Sequence, residues 1–258
     1  MQRDSIKNTF FIATSVCVFW SVLVSAAAVL LRPYQEANKV EERRRNILVA
    51  AGLYDENVPL EELFQQVEPK IVDLETGEYV DPSQLGLGEY DQRAAARDPE
   101  LSVPIPPEAD LAGLKRREKY AFVYLIKKNG KLDQIVLPIK GKGLWSTLYG
   151  FLSLDADLRT IHGITFYEHA ETPGLGGEVD NPSWKAKWRG KRAFDDEGKV
   201  RIEVIRGTVD SGRPEAEYQV DGLAGATLTS RGVSHLVQFW LGENGFGPYL
   251  ARLAKQGA

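Results

Sequence analysis

The sequence predicts an α+β protein in which an antiparallel-rich sheet is flanked by helices and preceded by one transmembrane helix. Three observations predict it. Near the amino terminus, Thr9 to Leu31 runs 23 residues without a charge, enough at about 1.5 Å per residue to cross a hydrocarbon core of about 30 Å. In the second half, YAFVYLI (120–126) and LDQIVLPI (132–139) are β-rich runs separated by a segment containing Asn129-Gly130, the pair favoured where two antiparallel strands join in a tight turn. Near the carboxyl end, Val233, Leu236, Val237 and Trp240 recur at i, i+3, i+4 and i+7, the spacing of a helix with one buried face. Internal repeats and strict βαβ alternation are both missing.

Taken in order, residues 1–8 form a short segment with Arg3 and Lys7, and residues 9–31 form the span, closed by Arg32. A cleavable signal peptide competes with this reading, because Ser25 to Ala28 is a run of small residues. The apolar stretch passes through those alanines to Leu31, beyond the roughly 7–15 residues of a signal-peptide core, so an anchor is expected. Cys17 follows Val16 in mid-span, where a lipidation site would need a small residue, and reads as a membrane-buried thiol. Counted literally, the flanking charges (Arg3 and Lys7 before, Arg32, Lys39, Arg43, Arg44 and Arg45 after) place the large domain in the cytoplasm, although this bias weakens for long translocated domains.

Residues 32–118 are expected to hold a stalk helix, EANKVEERRRNILVAAGL, ending near Gly52, and then an acidic, loop-rich region. Between Asp55 and Asp110 there are 15 acidic and 3 basic residues, with Pro82, Pro99, Pro104, Pro106 and Pro107 towards the end, a composition of surface loops and short elements. The folded domain is expected over 119–258. It opens with the hairpin from Tyr120 and continues with β-type runs at Thr160–His169, Val200–Ile205 and Glu217–Val220. Ser230 is placed as the cap of the amphipathic helix, Gly242 as its stop, and Pro248 at the start of a short last helix.

Composition narrows the chemistry. With 43% hydrophobic and 26% charged residues in 258, the chain is globular rather than low-complexity, and its formal net charge of -4 gives no electrostatic reason to expect nucleic acid as a partner. One cysteine excludes an internal disulfide and a cysteine-ligated cluster within the chain, and three histidines (His162, His169, His235) suit neither a structural zinc nor a haem. Neither Gly141-Lys142-Gly143 nor Gly174-Leu175-Gly176-Gly177 completes a dinucleotide or P-loop fingerprint, and HExxH and GxSxG are missing. No catalytic and no metal-ligating residue is assigned.

The remaining stretch able to carry chemistry is DGLAGATLTS (221–230), a small-residue loop entering the amphipathic helix. A helix entry offers unpaired N–H groups and the positive end of the dipole, the physics of a phosphate site. Gly225 and Ala226 leave the Thr227 hydroxyl accessible. The same residues also make an ordinary strand-to-helix turn capped by Thr229 or Ser230, and spacing alone leaves both readings open.

The stretch resembles the D-x-x-S/T-G-A-T signature of a family that carries flavin mononucleotide (FMN) joined through its phosphate to the last threonine, here Thr227. Glu171-Thr172-Pro173-Gly174-Leu175-Gly176 resembles the ETPGLG loop of the same family, and Gly143-Leu144-Trp145-Ser146 resembles a third shared segment. With the anchor and the length, the resemblance covers nearly the whole chain and extends in particular to C subunits of sodium-translocating NADH:quinone oxidoreductases. One departure is Ala224, where the family usually has serine or threonine; it removes a hydroxyl but not the acceptor.

The resemblance implies a covalent phosphothreonyl FMN on Thr227, with Gly225, Ala226, Leu144, Trp145, Glu171, Thr172, Gly174, Leu175 and Gly176 around it. Trp145 reads equally well as core packing. Asp221 would help a separate flavin transferase recognise the loop. The implied partners are the membrane and the other integral and peripheral subunits of a sodium-pumping oxidoreductase, one of which must supply the NADH site that this chain lacks. The flavin domain would lie on the periplasmic face of a bacterial inner membrane and residues 1–8 on the cytoplasmic face, against the literal charge count, and the domain would relay electrons as one part of a translocase. Two alternatives stand: the G subunit of an Rnf electron-transport complex, from which Asn46-Ile47-Leu48 and the acidic insertion distinguish this chain, and an anchored non-redox assembly protein whose GAT loop is only a turn.

Overall fold

The computed structural model describes residues 5–81, 83 and 90–256; residues 1–4 of the expected amino-terminal segment, and Pro82, lie outside them. The chain divides into two units, Met1–Arg43 and Arg44–Ala258. In the first, the described residues form all but the end of α1 (Ile6–Ala50). Its uncharged stretch has a mean hydropathy of 2.2 and buries none of its side chains, so the helix is long and apolar enough to cross a membrane. The expected span and stalk are therefore one continuous helix with Pro33 inside it.

The second unit starts with the last turns of α1, whose Ile47, Leu48 and Ala50 are buried. Gly52, at φ 66°, closes the helix end in the left-handed conformation that glycine reaches without strain. There follow α2 (Leu60–Phe64), β1 (Val67–Asp73), β2 (Tyr79–Val80), α3 (Gln92–Ala95), β3 (Ser102–Pro104) and β4 (Arg116–Glu118). The long strands are β5 (Tyr120–Lys128), β6 (Lys131–Lys142), β7 (Thr147–Asp155) and β8 (Ile161–Glu168). The short α4 (Pro182–Lys185), β9 (Glu203–Val204) and β10 (Gln219–Val220) lead to α5 (Thr227–Leu241) and α6 (Gly247–Lys255).

One six-stranded sheet, in the order β2-β1-β5-β6-β7-β8, is antiparallel at every pairing. The β5–β6 turn forms at Asn129 and Gly130, both at positive φ (54° and 76°), as a primed hairpin turn requires. Alternation along the strands sorts side chains to two faces. Val123, Leu125, Ile135, Leu137 and Leu152 face the core shared with Val233, Leu236, Val237 and Trp240 of α5. Tyr124, Ile126, Val136 and Phe151 face the opposite way, into a second core with Ile47, Leu48 and Ala50.

Three expectations need correction. The folded unit does not begin at 119: β1 lies inside the sheet, paired with β5 from Val67↔Ile126 to Asp73↔Tyr120. Its apolar residues are interrupted by Glu68, Pro69 and Lys70, and its partner is some fifty residues on, so no local pattern shows the pairing. The strand Thr147–Asp155 was not expected, and the run at Val200–Ile205 shrinks to two residues that pair in parallel with β10. Ser230 does not cap α5, because the helix starts three residues earlier, at Thr227.

Candidate flavin site

Three loops meet at one buried carboxylate. Glu171, 5% exposed, sits just beyond β8. Its Oε1 accepts from the backbone N–H of Trp145 at 2.9 Å and of Ser146 at 3.4 Å; its Oε2 accepts from the Leu144 N–H at 3.2 Å and from the Thr229 hydroxyl at 2.5 Å. Those donors belong to the β6–β7 turn and to the first turn of α5, so one side chain fixes the positions of all three segments. Burial raises the carboxyl pKa, but the Thr229 hydroxyl and the three N–H groups outweigh it and hold Glu171 below the usual carboxylate range. The Ser146 hydroxyl closes the arrangement by accepting from the Ala170 N–H at 2.8 Å.

Glycine is demanded where these segments touch. A Cβ on Gly176 would come within 2.6 Å of the Thr229 Oγ1 and 2.8 Å of the Glu171 Oε2. Gly225 has φ 70°, and a Cβ there would meet the Leu175 side chain at 3.0 Å. Gly174, at φ 75°, faces open space, so it is the backbone conformation rather than room that calls for glycine.

The scaffold holds a set of exposed side chains. Leu144, Trp145, Leu175 and Leu228 are respectively 46%, 69%, 44% and 53% exposed, large apolar groups that a fold buries when nothing else prevents it. Core packing, the alternative for Trp145, is excluded by its exposure. Thr227 is exposed at the first helical position of α5, and Thr172 is exposed as well. No side chain caps α5, which leaves its first N–H groups free of a side-chain acceptor, as an anion site at a helix entry requires. Ser230 instead accepts from the Leu223 N–H at 2.9 Å, buried beneath the loop.

Asp221 is fixed by the Lys187 ammonium at 2.6 Å and the Val209 N–H at 2.7 Å. Burial works against its ionised form, but these partners prevail and its carboxyl lies below its ordinary value. On its other side, Thr227 borders a cavity of about 340 Å³ that it shares with Arg206, Arg231 and His235. Burial, and then the charge of Arg231, lowers the His235 pKa.

Every expected site residue therefore falls on these three loops, but not in one role. Glu171 lies behind the exposed rim with its carboxylate already engaged, so it organises the loops, whereas the sequence placed it among the cofactor contacts. Arg206 and Arg231 were not singled out from the sequence, and Thr229 was named there only as a helix cap, not as a partner of Glu171. Arg231 stands four residues after Thr227, on the same face of α5, a spacing that could have revealed it. The Glu171–Thr229 contact joins residues 58 apart and leaves no local signal. The two histidines of the β8 region are separate, His162 on Asp155 and His169 on Asp180, each at 2.7 Å.

FMN suits this donor set: exposed apolar side chains for a flat ring, and an uncapped helix end with two arginines nearby for a phosphate. Similarity to known proteins agrees. Residues 143–242 match the model of the FMN-binding domain family. The C subunit of the Na(+)-translocating NADH-quinone reductase of Pseudomonas aeruginosa is 49% identical over 258 residues, spanning 98% of both chains. The protein of the same name from Vibrio vulnificus is 45% identical over 99% of this chain and 98% of its own. Among solved structures, Shewanella oneidensis NqrC superposes with a TM-score of 0.77 at 37% identity, covering 85% of this chain and 99% of that one. Likeness of this extent, carried through all three loops and nearly the full length, makes the chain a member of the family of C subunits of the Na(+)-translocating NADH-quinone reductase.

Proposed function

We propose that this chain carries FMN covalently, through a phosphoester to Thr227, and relays electrons within a sodium-translocating NADH:quinone oxidoreductase. The observation that carries the reading is the position of Thr227: an exposed hydroxyl at the first residue of an uncapped helix, with Arg206 and Arg231 on one side and the exposed Leu175 close to Gly225 on the other. When bound, FMN supplies one- and two-electron transfer. The residues of the chain do the rest. The α5 N–H groups and the two arginines offset the charge of a phosphodiester. Leu144, Trp145 and Leu175 give an apolar surface for the ring, and Glu171 keeps the three loops in register. A covalent bond holds the carrier without relying on affinity, which suits a domain outside the cytoplasm, where no pool of free FMN is at hand.

On this reading Thr227 is an attachment point, a flavin transferase makes the bond, and Asp221, which shapes the loop through Val209 and Lys187, helps present it. The α1 helix anchors the chain once in the inner membrane, with Arg44–Ala258 on the periplasmic side. NADH binds to a partner subunit. The names of the relatives favour the quinone-reductase complex over Rnf. The test is a denaturing gel viewed under ultraviolet light after co-expression with the transferase: a fluorescent band is expected for the natural chain and none for Thr227→Ala. A dark band from the natural chain would overturn the proposal and favour the non-redox assembly protein.

A further inference from the structure

A cleft of about 170 Å³ on the other side of the β6–β7 hairpin is lined by five cations, Arg93, Arg97, Arg116, Lys140 and Lys142, and by no carboxylate among the described residues. The register explains the gathering. Lys140 stands opposite Tyr149 and Lys142 opposite Thr147, so all four side chains share one face of the hairpin. Helix α3 and the turn after it bring Arg93 and Arg97, and β4 brings Arg116.

Most of these groups are held in place. The Arg93 guanidinium lies 3.9 Å from the centre of the Tyr149 ring and pairs with Glu168 at 2.8 Å. Arg116 donates to the Ser102 hydroxyl at 2.9 Å and the Ser102 carbonyl at 3.0 Å, neutral acceptors that orient the charge without cancelling it. Lys140, 9% exposed, donates to the fully buried Glu118 at 2.7 Å. Arg97 and Lys142 make no ion pair among the described residues.

Two carboxylates thus answer five cations, in a chain whose net charge is -4. Convergent like charges in a concave site raise the free energy of the empty fold and focus a positive potential on the cleft. The lining side chains that can hydrogen-bond there are cationic or hydroxylic, with two arginine forks suited to oxygen pairs. The volume lies below the roughly 300–1,000 Å³ of pockets that enclose drug-sized ligands, so it suits one phosphoryl group and not a nucleotide. We infer that this cleft binds a phosphate-type oxyanion, with Arg97, Arg116 and Lys142 as direct donors and Lys140 as the buried charge behind them. Lys142 and Thr147 also flank the turn that presents Leu144 and Trp145, so an anion here braces that turn from the opposite side. The inference does not depend on flavin attachment.

The test is calorimetric titration of the full chain in non-ionic detergent with inorganic phosphate, at ionic strength held constant with chloride. Saturable binding is expected, weakened about tenfold or more in Arg97→Gln/Lys142→Gln and unchanged in the distant Lys199→Gln. An unshifted melting temperature in chloride shows the double variant to be folded; Lys142→Gln alone, with a smaller loss, serves if it is not. Phosphate displaced by phosphatidic acid mixed into the detergent micelles, but not by phosphatidylcholine, assigns the anion to a lipid headgroup, whereas phosphate binding undisturbed by phosphatidic acid assigns a soluble one. No saturable phosphate binding, or equal binding by a folded variant, overturns the inference.

Discussion

Glu171 shows how one residue sets the geometry of a site without lining it. Its four donors come from segments 25 to 58 residues away, and removing the carboxylate would leave the buried Thr229 hydroxyl without an acceptor and the three turn N–H groups without their shared partner. Glu171→Ala is expected to cost about 2–4 kcal/mol, read as a lower denaturation midpoint at unchanged m. The pH dependence follows in sign. Because the folded carboxyl titrates below its unfolded counterpart, its contribution is complete above about pH 4.5 and is lost as pH falls through the folded value. The stability gap between the natural chain and Glu171→Gln should therefore narrow on acidification, followed by thermal melts between about pH 7 and pH 3; a constant gap would contradict the assigned role. The sequence marked Glu171 through its motif, but the contacts that define its work span the fold and could not be read from neighbours.

At the level of elements, the loops depend on helix α5 and on glycines at its contacts. Gly176→Ala forces its Cβ between the Thr229 Oγ1 and the Glu171 Oε2, and is expected to cost about 1–3 kcal/mol and to lower flavinylation of the chains that remain folded, because the loop contacts themselves shift. Gly190→Ala, at φ 77° but with open space around it, is expected to cost about 1–2 kcal/mol through its backbone alone and to leave flavinylation of the folded chain unchanged. Comparing flavin content per folded chain in the two variants separates the site from general stability. Elements with a strong local period were legible: the Asn129-Gly130 hairpin, the apolar face of α5, and the uncharged run of α1. The strands β1 and β7 were not. In β1 the buried Val67, Ile71 and Val72 are interleaved with Pro69 and charges, and in β7 both faces are covered, so neither strand keeps a clean alternation.

Over the whole molecule, the boundary between the two units falls within α1, and the core decides where the folded part starts. Ile47, Leu48, Ala50 and Ala51 are each no more than 1% exposed and belong to the second core with Tyr124 and Phe151. A chain starting at Arg44 is expected to fold with a melting temperature close to that of the same region in the full protein. A chain starting at Leu53 loses those four residues and is expected to be less stable by several kcal/mol, as thermal melts of the two truncations would show. The acidic composition of 55–110 suggested surface loops, because charge alone does not show that Val67–Asp73 pairs on both sides within the sheet. The three loops that meet at Glu171, by contrast, were legible because each carries a short motif resembling a segment of one family.

Tandem mass spectrometry of the peptide carrying Thr227, from protein matured with its transferase, addresses covalent attachment most directly. The expected result is a mass increase equal to FMN less one water, with fragment ions placing it on Thr227 and no such increase in Thr227→Ala. An unmodified Thr227, or the same modification on Thr229 or Ser230, would contradict it.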